Sequence, residues 1–104
     1  MKIRLTRGTE RDLARGADFY NNMRDDLGVY FNDCLASDID SLVLYAGIHA
    51  QVDGWYYTFS TRFPFVIWYG IDGEFVNIFA VLDCRAEPSG NEGIFRSRRS
   101  EYGG

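Results

Sequence analysis

The chain of 104 residues is 46% hydrophobic and 16% aromatic, which supplies one domain with a single core and argues against disorder over most of its length. Its net charge of −4 argues against a general nucleic-acid binder, because such proteins rely on many phosphate contacts. No apolar run approaches the roughly 20 residues of a membrane span, and residues 1–7 lack the apolar block of a signal peptide. We therefore expect a cytoplasmic protein that does not contact membranes, with Cys34 and Cys84 as small buried thiols.

The N-terminal half predicts an edge strand followed by two helices. Residues 1–7 alternate as an edge strand does, and a first helix is expected over residues 9–26, because Thr9 and Asp12 have the spacing of a capping box. Gly28 is expected to break the chain before a second helix. So short a link favours an antiparallel helical hairpin. The second helix has a narrow apolar stripe formed by Phe31, Leu35, Ile39, Leu42 and Ala46, with Asp33, Ser37 and Asp40 on the opposite face.

The C-terminal half predicts three strands. Residues 47–54 form a loop bounded by glycines, and residues 55–60 alternate as a strand. Residues 63–69 are apolar on both faces, as a central strand would be. The Asp-Gly pair at 72–73 predicts a tight hairpin turn to a last strand over residues 75–82. The predicted fold is α+β: an N-terminal strand and an antiparallel helical hairpin packed on a three- to four-stranded antiparallel sheet.

The predicted hairpin has an arginine at each end. Because the start of one antiparallel strand lies beside the end of its neighbour, Arg62 and Arg85 are expected at the same end of the sheet. Two guanidinium groups held there are a candidate anion site. The alternative is that both form ordinary surface salt bridges, Arg62 with Asp83 and Arg85 with Glu87.

Composition changes after Arg85. The following residues are rich in glycine, proline and polar side chains that cannot form a core. We therefore assign residues 1–88 to a single domain and residues 89–104 to an arginine-containing tail.

Five motifs together resemble the RelE/ParE superfamily, the toxins of bacterial type II toxin–antitoxin systems. The match covers roughly residues 9–88, and its last two motifs are nearer the ParE branch. The motifs are Asp-Leu at 12–13, Phe-Tyr at 19–20, Leu-Gly-x-x-Phe at 27–31, Arg-Phe-Pro-Phe-x-Ile-x-Tyr at 62–69 and Ile-x-Ala-Val-Leu-x-x-Arg-x-x-Pro at 78–88.

The resemblance implies a protein that poisons its own cell unless a cognate antitoxin covers it. ParE-like members inhibit DNA gyrase, often in the context of plasmid stabilization, whereas RelE-like members are mRNA interferases that cleave messenger RNA on the ribosome. A third hypothesis is a non-toxic member kept for antitoxin binding and co-repression. Each reading allows a homodimer or a hetero-oligomer with the antitoxin.

The candidate residues favour inhibition by binding over cleavage. Arg62 and Arg85 match the family's sheet arginines, but the only lysine is Lys2, the only histidine is His49 in a loop, and Tyr102 lies almost at the terminus. Whether the protein is an enzyme stays open, and no cofactor or metal is expected. The predicted target-binding residues are Arg62, Arg85, Arg96, Arg98 and Arg99, and the predicted antitoxin-binding residues are Tyr20, Tyr30, Tyr56 and Trp68.

Overall fold

The computed structural model describes residues 1–85, which form a helical layer packed on one five-stranded sheet. The predicted α+β class is therefore confirmed, although the sheet has more strands than expected. Its strand order is β1-β5-β4-β3-β2; β1 pairs with β5 in parallel, and every other pairing is antiparallel. The elements are β1 (Lys2–Leu5), α1 (Arg7–Met23), α2 (Leu27–Asp40), α3 (Leu42–Tyr45), β2 (Gln51–Val52), β3 (Trp55–Phe59), β4 (Phe65–Asp72) and β5 (Phe75–Asp83).

Helix α1 begins two residues earlier than predicted, and the expected capping box is wrong. Thr6 is the N-cap, and its side chain accepts a hydrogen bond from the Thr9 amide. The hydroxyl of Thr9 donates to the carbonyl of Ile78 at 2.8 Å, and the Asp12 carboxylate accepts from the Val81 amide at 2.9 Å. Strand β1 ends opposite Ile78. On this side of β5, the backbone groups of Ile78 and Val81 therefore bond to side chains of α1.

The two long helices approach closely because each has a glycine at the contact. A Cβ on Gly16 would lie 2.5 Å from the Phe31 ring, and one on Gly28 would lie 2.5 Å from the backbone oxygen of Ala17. Gly28 lies inside α2 and does not break the chain. The reversal between the helices occurs instead at Asp26, whose φ is 67°.

The core has two layers, one on each face of the sheet. The first four members of the predicted apolar stripe are buried and Ala46 is half-buried, as expected. The stripe does not lie on one helix, however, because α2 ends at Asp40, Leu42 belongs to α3 and Ala46 follows α3. Strand β4 is buried on both faces, as predicted. The helix-facing cluster includes Phe31, Leu35, Ile39, Leu42, Phe65, Ile67, Tyr69 and Ile78, and the cluster on the other face consists of Val66, Phe79, Ala80 and Leu82, packed with Trp55, Tyr57 and Trp68.

Both hairpin turns differ from the prediction. Asp72 still pairs with Phe75, so the β4–β5 turn is formed by residues 73–74, where only Gly73 has positive φ. The second Asp-Gly pair, Asp53 and Gly54, joins β2 to β3 inside the predicted loop. Both of its residues have positive φ, at 54° and 86°, as the tightest hairpin turns require.

Candidate functional site

The two sheet arginines lie at the same end of the β4–β5 hairpin. Phe65 pairs with Asp83, and the Cys84 amide donates to the Pro64 carbonyl at 2.8 Å. Arg62 precedes β4 and Arg85 follows β5, so the two residues flank this pairing. We call this part of the molecule the arginine end.

Arg85 is bound by the carboxylate of Asp83, the last residue of β5. Its Nε and Nη2 donate to the two oxygens of Asp83 at 3.1 and 3.0 Å, and Nη2 also donates to the Tyr20 hydroxyl at 3.1 Å. The guanidinium carbon lies 5.7 Å from the centre of the Phe19 ring. Arg85 therefore forms a salt bridge with Asp83, which was not its predicted partner. The predicted partner, Glu87, lies outside the described residues.

This pairing shifts the titration of both groups. Partial burial acts to raise the pKa of Asp83, but the hydrogen bonds and charge of Arg85 outweigh it and hold that pKa below its usual range. The hydrogen bond to Asp83 raises the pKa of Arg85. The charge of Arg85 is therefore balanced by Asp83, which accepts from its Nε and Nη2.

Arg62 lies on the side of the arginine end that faces α2. It is exposed in the segment between β3 and β4 and lines a hollow of about 340 Å³ against α2. Among residues 1–85 it forms no ion pair, so the alternative pairing of Arg62 with Asp83 is wrong. The other residues lining this hollow are Tyr30, Asp33, Cys34, Ser37 and Thr61.

An aromatic side chain separates the surroundings of the two arginines. The Phe63 ring lies 4.8 Å from Tyr20, which binds Arg85, and 5.7 Å from Tyr30, which lines the hollow of Arg62. The arginine end thus combines two arginines, one of them paired with Asp83, with the aromatic side chains between their surroundings. The sequence placed Phe63 in a strand and in the Arg-Phe-Pro motif, but did not predict its position between the two tyrosines.

Asp38 fixes the segment that carries Arg62, and sequence reasoning missed this role. One carboxylate oxygen accepts from the Ser60 hydroxyl at 2.6 Å and from the Thr61 amide at 3.2 Å. The other oxygen accepts from the Thr61 hydroxyl at 2.9 Å. Three hydrogen bonds to one charged acceptor anchor this segment to α2. The adjacent hydroxyl residues before Arg62 were the only signal in the sequence.

The predicted antitoxin-binding residues differ in accessibility. Tyr30 is exposed, whereas Tyr20 is buried. Tyr56 is half-buried and stacks on Tyr69 with a centroid distance of 5.1 Å, and Trp68 is half-buried on the opposite face of the sheet. Only Tyr30 of these four offers a largely open ring to a partner.

His49 is not the solvated loop residue that the sequence suggested. It is half-buried, and its Nδ1 lies 2.5 Å from the Tyr69 hydroxyl, which also accepts from the Gly47 amide at 3.1 Å. Burial raises the pKa of Tyr69. The contact of His49 with Tyr69 therefore holds the loop after α3 against the sheet. His49 does not belong to the arginine end.

The cysteines are both free, as expected, but neither is fully buried: Cys34 is half-buried, and Cys84 is exposed because it follows the end of β5. The described part of the chain contains no group of three His, Cys, Asp or Glu side chains arranged to hold a metal ion. The predicted tail residues Arg96, Arg98, Arg99 and Tyr102 lie outside the described residues.

None of the helices within residues 1–85 combines the length and the apolar character that crossing a membrane requires.

A helical hairpin packed on one face of a mostly antiparallel sheet, with arginines at one end of its central hairpin, defines the fold class. The same fold occurs in a chain from the "Chromosomal ParDE TA system from P. aeruginosa", with a TM-score of 0.71 and 19% identity. The likeness covers 78% of this chain and 92% of that chain. No protein-family model and no curated protein sequence matches.

Proposed function

We propose that this chain is the toxin of a type II toxin–antitoxin system, of the ParE-like kind that binds and inhibits DNA gyrase in the cytoplasm. The observation that carries the proposal is the shared fold with a chain of a ParDE TA system, over 92% of that chain. The motifs around Arg62 and Arg85, which resemble the ParE branch, support it independently of the fold.

The arginine end is the target-binding surface in this proposal. It combines arginine with tyrosine and phenylalanine, the residue types enriched at the centre of protein–protein interfaces. Arg62 forms no ion pair with any of residues 1–85, and Phe63 with Tyr30 provides apolar contact area. Arg85 contributes once a carboxylate or phosphate of the target displaces Asp83. The proposal also assigns target binding to the tail arginines at positions 96, 98 and 99, as the sequence predicted.

The first alternative is a ribosome-dependent mRNA endoribonuclease. Cleavage through the 2′-hydroxyl needs a general base, and arginine cannot serve because it stays protonated. Within the described ranges, the carboxylate nearest Arg85 is Asp83, which is already bound to it, and His49 is bonded to Tyr69 away from the arginine end. These contacts support a binding protein over an enzyme.

The second alternative is a family member without toxicity that serves antitoxin binding and co-repression. This hypothesis includes the same antitoxin partner as the main proposal. Among the residues predicted to bind the antitoxin, Tyr30 is the exposed one. The partner segment is expected to add helix or strand contacts to the helical hairpin and the sheet. The oligomeric state of the complex with the antitoxin does not distinguish the three hypotheses, because each of them includes that complex.

Expression of the chain without its antitoxin distinguishes these functions. Gyrase inhibition predicts filamentous cells with induced DNA damage, and loss of supercoiling activity when purified protein is added to purified gyrase. Immediate arrest of translation with cut messages would identify the nuclease. Normal growth with a folded product would identify the non-toxic member.

Arg62→Ala provides the residue-level test. We expect it to weaken gyrase inhibition, because the guanidinium of Arg62 is exposed and has no ion-pair partner within the described part of the chain. Arg11→Ala is the matched control, since Arg11 is exposed on α1 away from this surface. Equal inhibition by both variants would remove Arg62 from the target-binding surface.

A further inference from the structure

One edge of the sheet is formed by β1. Among residues 1–85, only β5 pairs with this strand, so its other side is open. The amides of Lys2 and Thr6 donate to the carbonyls of residues 74 and 78, at 2.7 and 3.1 Å. Because alternate residues of a strand direct their backbone groups to opposite sides, the N–H and C=O groups of Ile3 and Leu5 face away from β5. These groups are positioned to pair with a further strand.

A groove of about 420 Å³ lies beside this edge, on the sheet face that the helices cover. Ile3 and Leu5 line it from the strand, and Leu5 is 41% exposed, so the groove is open to solvent at the edge. The lining residues from α1 and α2 are Leu13, Asn32, Ala36, Ile39 and Asp40. Since directly opposite side chains of paired strands share a face, every second side chain of an added strand would enter this groove.

The other face of β1 presents two cations. Lys2 and Arg4 alternate with the groove residues, and both are exposed. Arg4 is held in place, because its Nε donates to Asn77 at 2.8 Å and its guanidinium carbon lies 3.7 Å from the centre of the Phe75 ring. It forms no ion pair with any of residues 1–85. Lys2 meets Glu74 at 3.8 Å, with both side chains more than half exposed. An added strand would therefore have two largely solvated cations beside it.

Charge distinguishes the two faces of this edge. Residues 1–11 carry four basic side chains and one acidic side chain, although the whole chain has a net charge of −4. On the face of Arg4, the carboxylate of Asp72 belongs to β4, two strands further into the sheet. On the groove face, the carboxylate of Asp40 is part of the lining. An added strand therefore fits with acidic side chains on the face of Lys2 and Arg4 and apolar side chains in the groove.

We propose that the open edge of β1 binds, by antiparallel strand addition, an extended segment of a protein partner in which apolar and acidic residues alternate. Its backbone pairs with Ile3 and Leu5, its apolar side chains enter the groove, and its carboxylates lie opposite Lys2 and Arg4. The antiparallel direction follows from the greater stability per residue of that pairing.

Other occupants of the edge match it less well. A second copy of β1 would bring its own Lys2 and Arg4 beside the same cations, and edge lysines oppose such pairing. The chain's own residues 94–99 read Ile-Phe-Arg-Ser-Arg-Arg and carry cations where the edge requires acids. The alternating acidic and apolar segment is the one that satisfies both faces.

This edge is separate from the arginine end. Leu5 pairs with Ile78, five residues before Asp83 on β5. Five residues of extended strand span about 17 Å. The proposal therefore concerns a second surface and does not depend on whether the arginine end binds gyrase.

The test uses capped peptides of about seven residues, the length of an ordinary strand. In one peptide valine alternates with glutamate, and in the other valine alternates with lysine. Titration of the full chain, followed by amide chemical shifts, should show saturable changes at Ile3, Leu5, Leu13 and Ala36 with the glutamate peptide. The lysine peptide should bind at least about tenfold more weakly, because it places like charges beside β1.

Methylation of peptide amides tests strand addition itself. Residues opposite Ile3 and Leu5 exchange both backbone hydrogen bonds with them and share their face, so the valine amides point at β1 and the glutamate amides point away. Methyl groups on the valine amides should weaken binding at least about tenfold, since they remove the donors and block the approach. Methyl groups on the glutamate amides are the matched control and should leave the affinity within about twofold.

Protein variants test the cations. Lys2→Gln/Arg4→Gln should weaken binding of the glutamate peptide about tenfold. Arg15→Gln/Arg24→Gln removes the same charge from exposed positions on α1 and should leave the affinity unchanged.

A second pair of variants tests the groove. Ala36→Trp should weaken binding of the glutamate peptide, because the indole fills the groove that Ala36 lines. Ser37→Trp, at the next exposed position, lines the hollow of Arg62 instead and is its control.

Four results would overturn the proposal. Equal binding of the lysine peptide would remove the role of Lys2 and Arg4. Equal effects of the two methylation patterns would show that no strand is added. Self-association in sedimentation experiments that is lost in Ala36→Trp would make a second copy of the chain the occupant. Slow hydrogen exchange of the Ile3 and Leu5 amides in the free chain would show that the chain's own residues already cover this edge.

Discussion

Arg85 and Tyr20 are 65 residues apart in the chain and are joined by a hydrogen bond of 3.1 Å between the guanidinium Nη2 and the phenolic oxygen. Tyr20 belongs to α1, and Arg85 follows the last strand. The bond therefore connects the helical layer to the end of the sheet. It also holds the guanidinium, together with Asp83, in one orientation at the surface where a target would bind.

Arg85→Ala should abolish toxicity while the domain stays folded. The pair of Arg85 with Asp83 is largely exposed, so its loss should change the free energy of unfolding by less than about 1 kcal/mol. Growth after induction and thermal unfolding of the purified protein measure the two effects. Arg15→Ala, exposed on α1, is the control. An unchanged growth defect in Arg85→Ala would exclude this arginine from the target-binding surface.

Asp38→Ala should release the segment that carries Arg62. Its three hydrogen bonds to Ser60 and Thr61 disappear, so the amides of residues 60–63 should exchange with solvent faster while the rest of the sheet is unaffected. Toxicity should fall because Arg62 is no longer held in place. Asp38→Asn keeps one acceptor oxygen and should restore part of both properties.

The control for Asp38 is Asn32→Ala, at an exposed position on the same helix. Hydrogen exchange read by mass spectrometry and growth after induction are compared for all three variants. If Asp38→Ala leaves exchange at residues 60–63 unchanged, its carboxylate does not position the segment.

The contribution of Asp83 to stability should depend on pH. Its folded pKa is depressed, so the stabilisation is present above the ordinary aspartate value of about 3.9 and is lost as pH falls through the folded value. The wild type should therefore be more stable than Asp83→Asn at pH 7, and this difference should shrink as pH falls below about 4. Chemical unfolding at a series of pH values measures it. A stability difference between the two proteins that stays constant across the pH series would show that the pairing of Asp83 with Arg85 does not contribute to stability.

The sequence predicted contacts that arise from local periodicity and missed those between distant residues. The buried stripe beginning with Phe31 and Leu35 follows from helical spacing alone, and the arginine end follows from the antiparallel pairing of two adjacent strands. The partners of Asp38 and His49 are 20 or more residues away, and a side chain's spacing does not indicate them. Neither partner was therefore predicted.

The capping box shows the same limit for a specific motif. Thr9 and Asp12 have the correct spacing and residue types, yet their partners are the backbone groups of Ile78 and Val81. Thr6, one turn earlier, already satisfies the start of the helix. Since a cap and a buried polar pair can share one pattern, only the position of β5 distinguishes them.

Asp12→Ala should destabilise the fold more than any exposed aspartate of α1. Asp12 is 4% exposed, and the variant leaves the Val81 amide without its acceptor beyond the end of β1. An unpaired buried donor costs about 1–3 kcal/mol. Asp12→Asn keeps an acceptor oxygen and should cost less. Asp18→Ala, exposed on the same helix, should stay within about 0.5 kcal/mol of the wild type.

Urea unfolding gives the free energies, and hydrogen exchange at Val81 should accelerate only in Asp12→Ala. Equal stabilities of Asp12→Ala and Asp18→Ala would show that water replaces the carboxylate at this edge, and the helix would then be held to β5 by Thr9 and apolar packing alone.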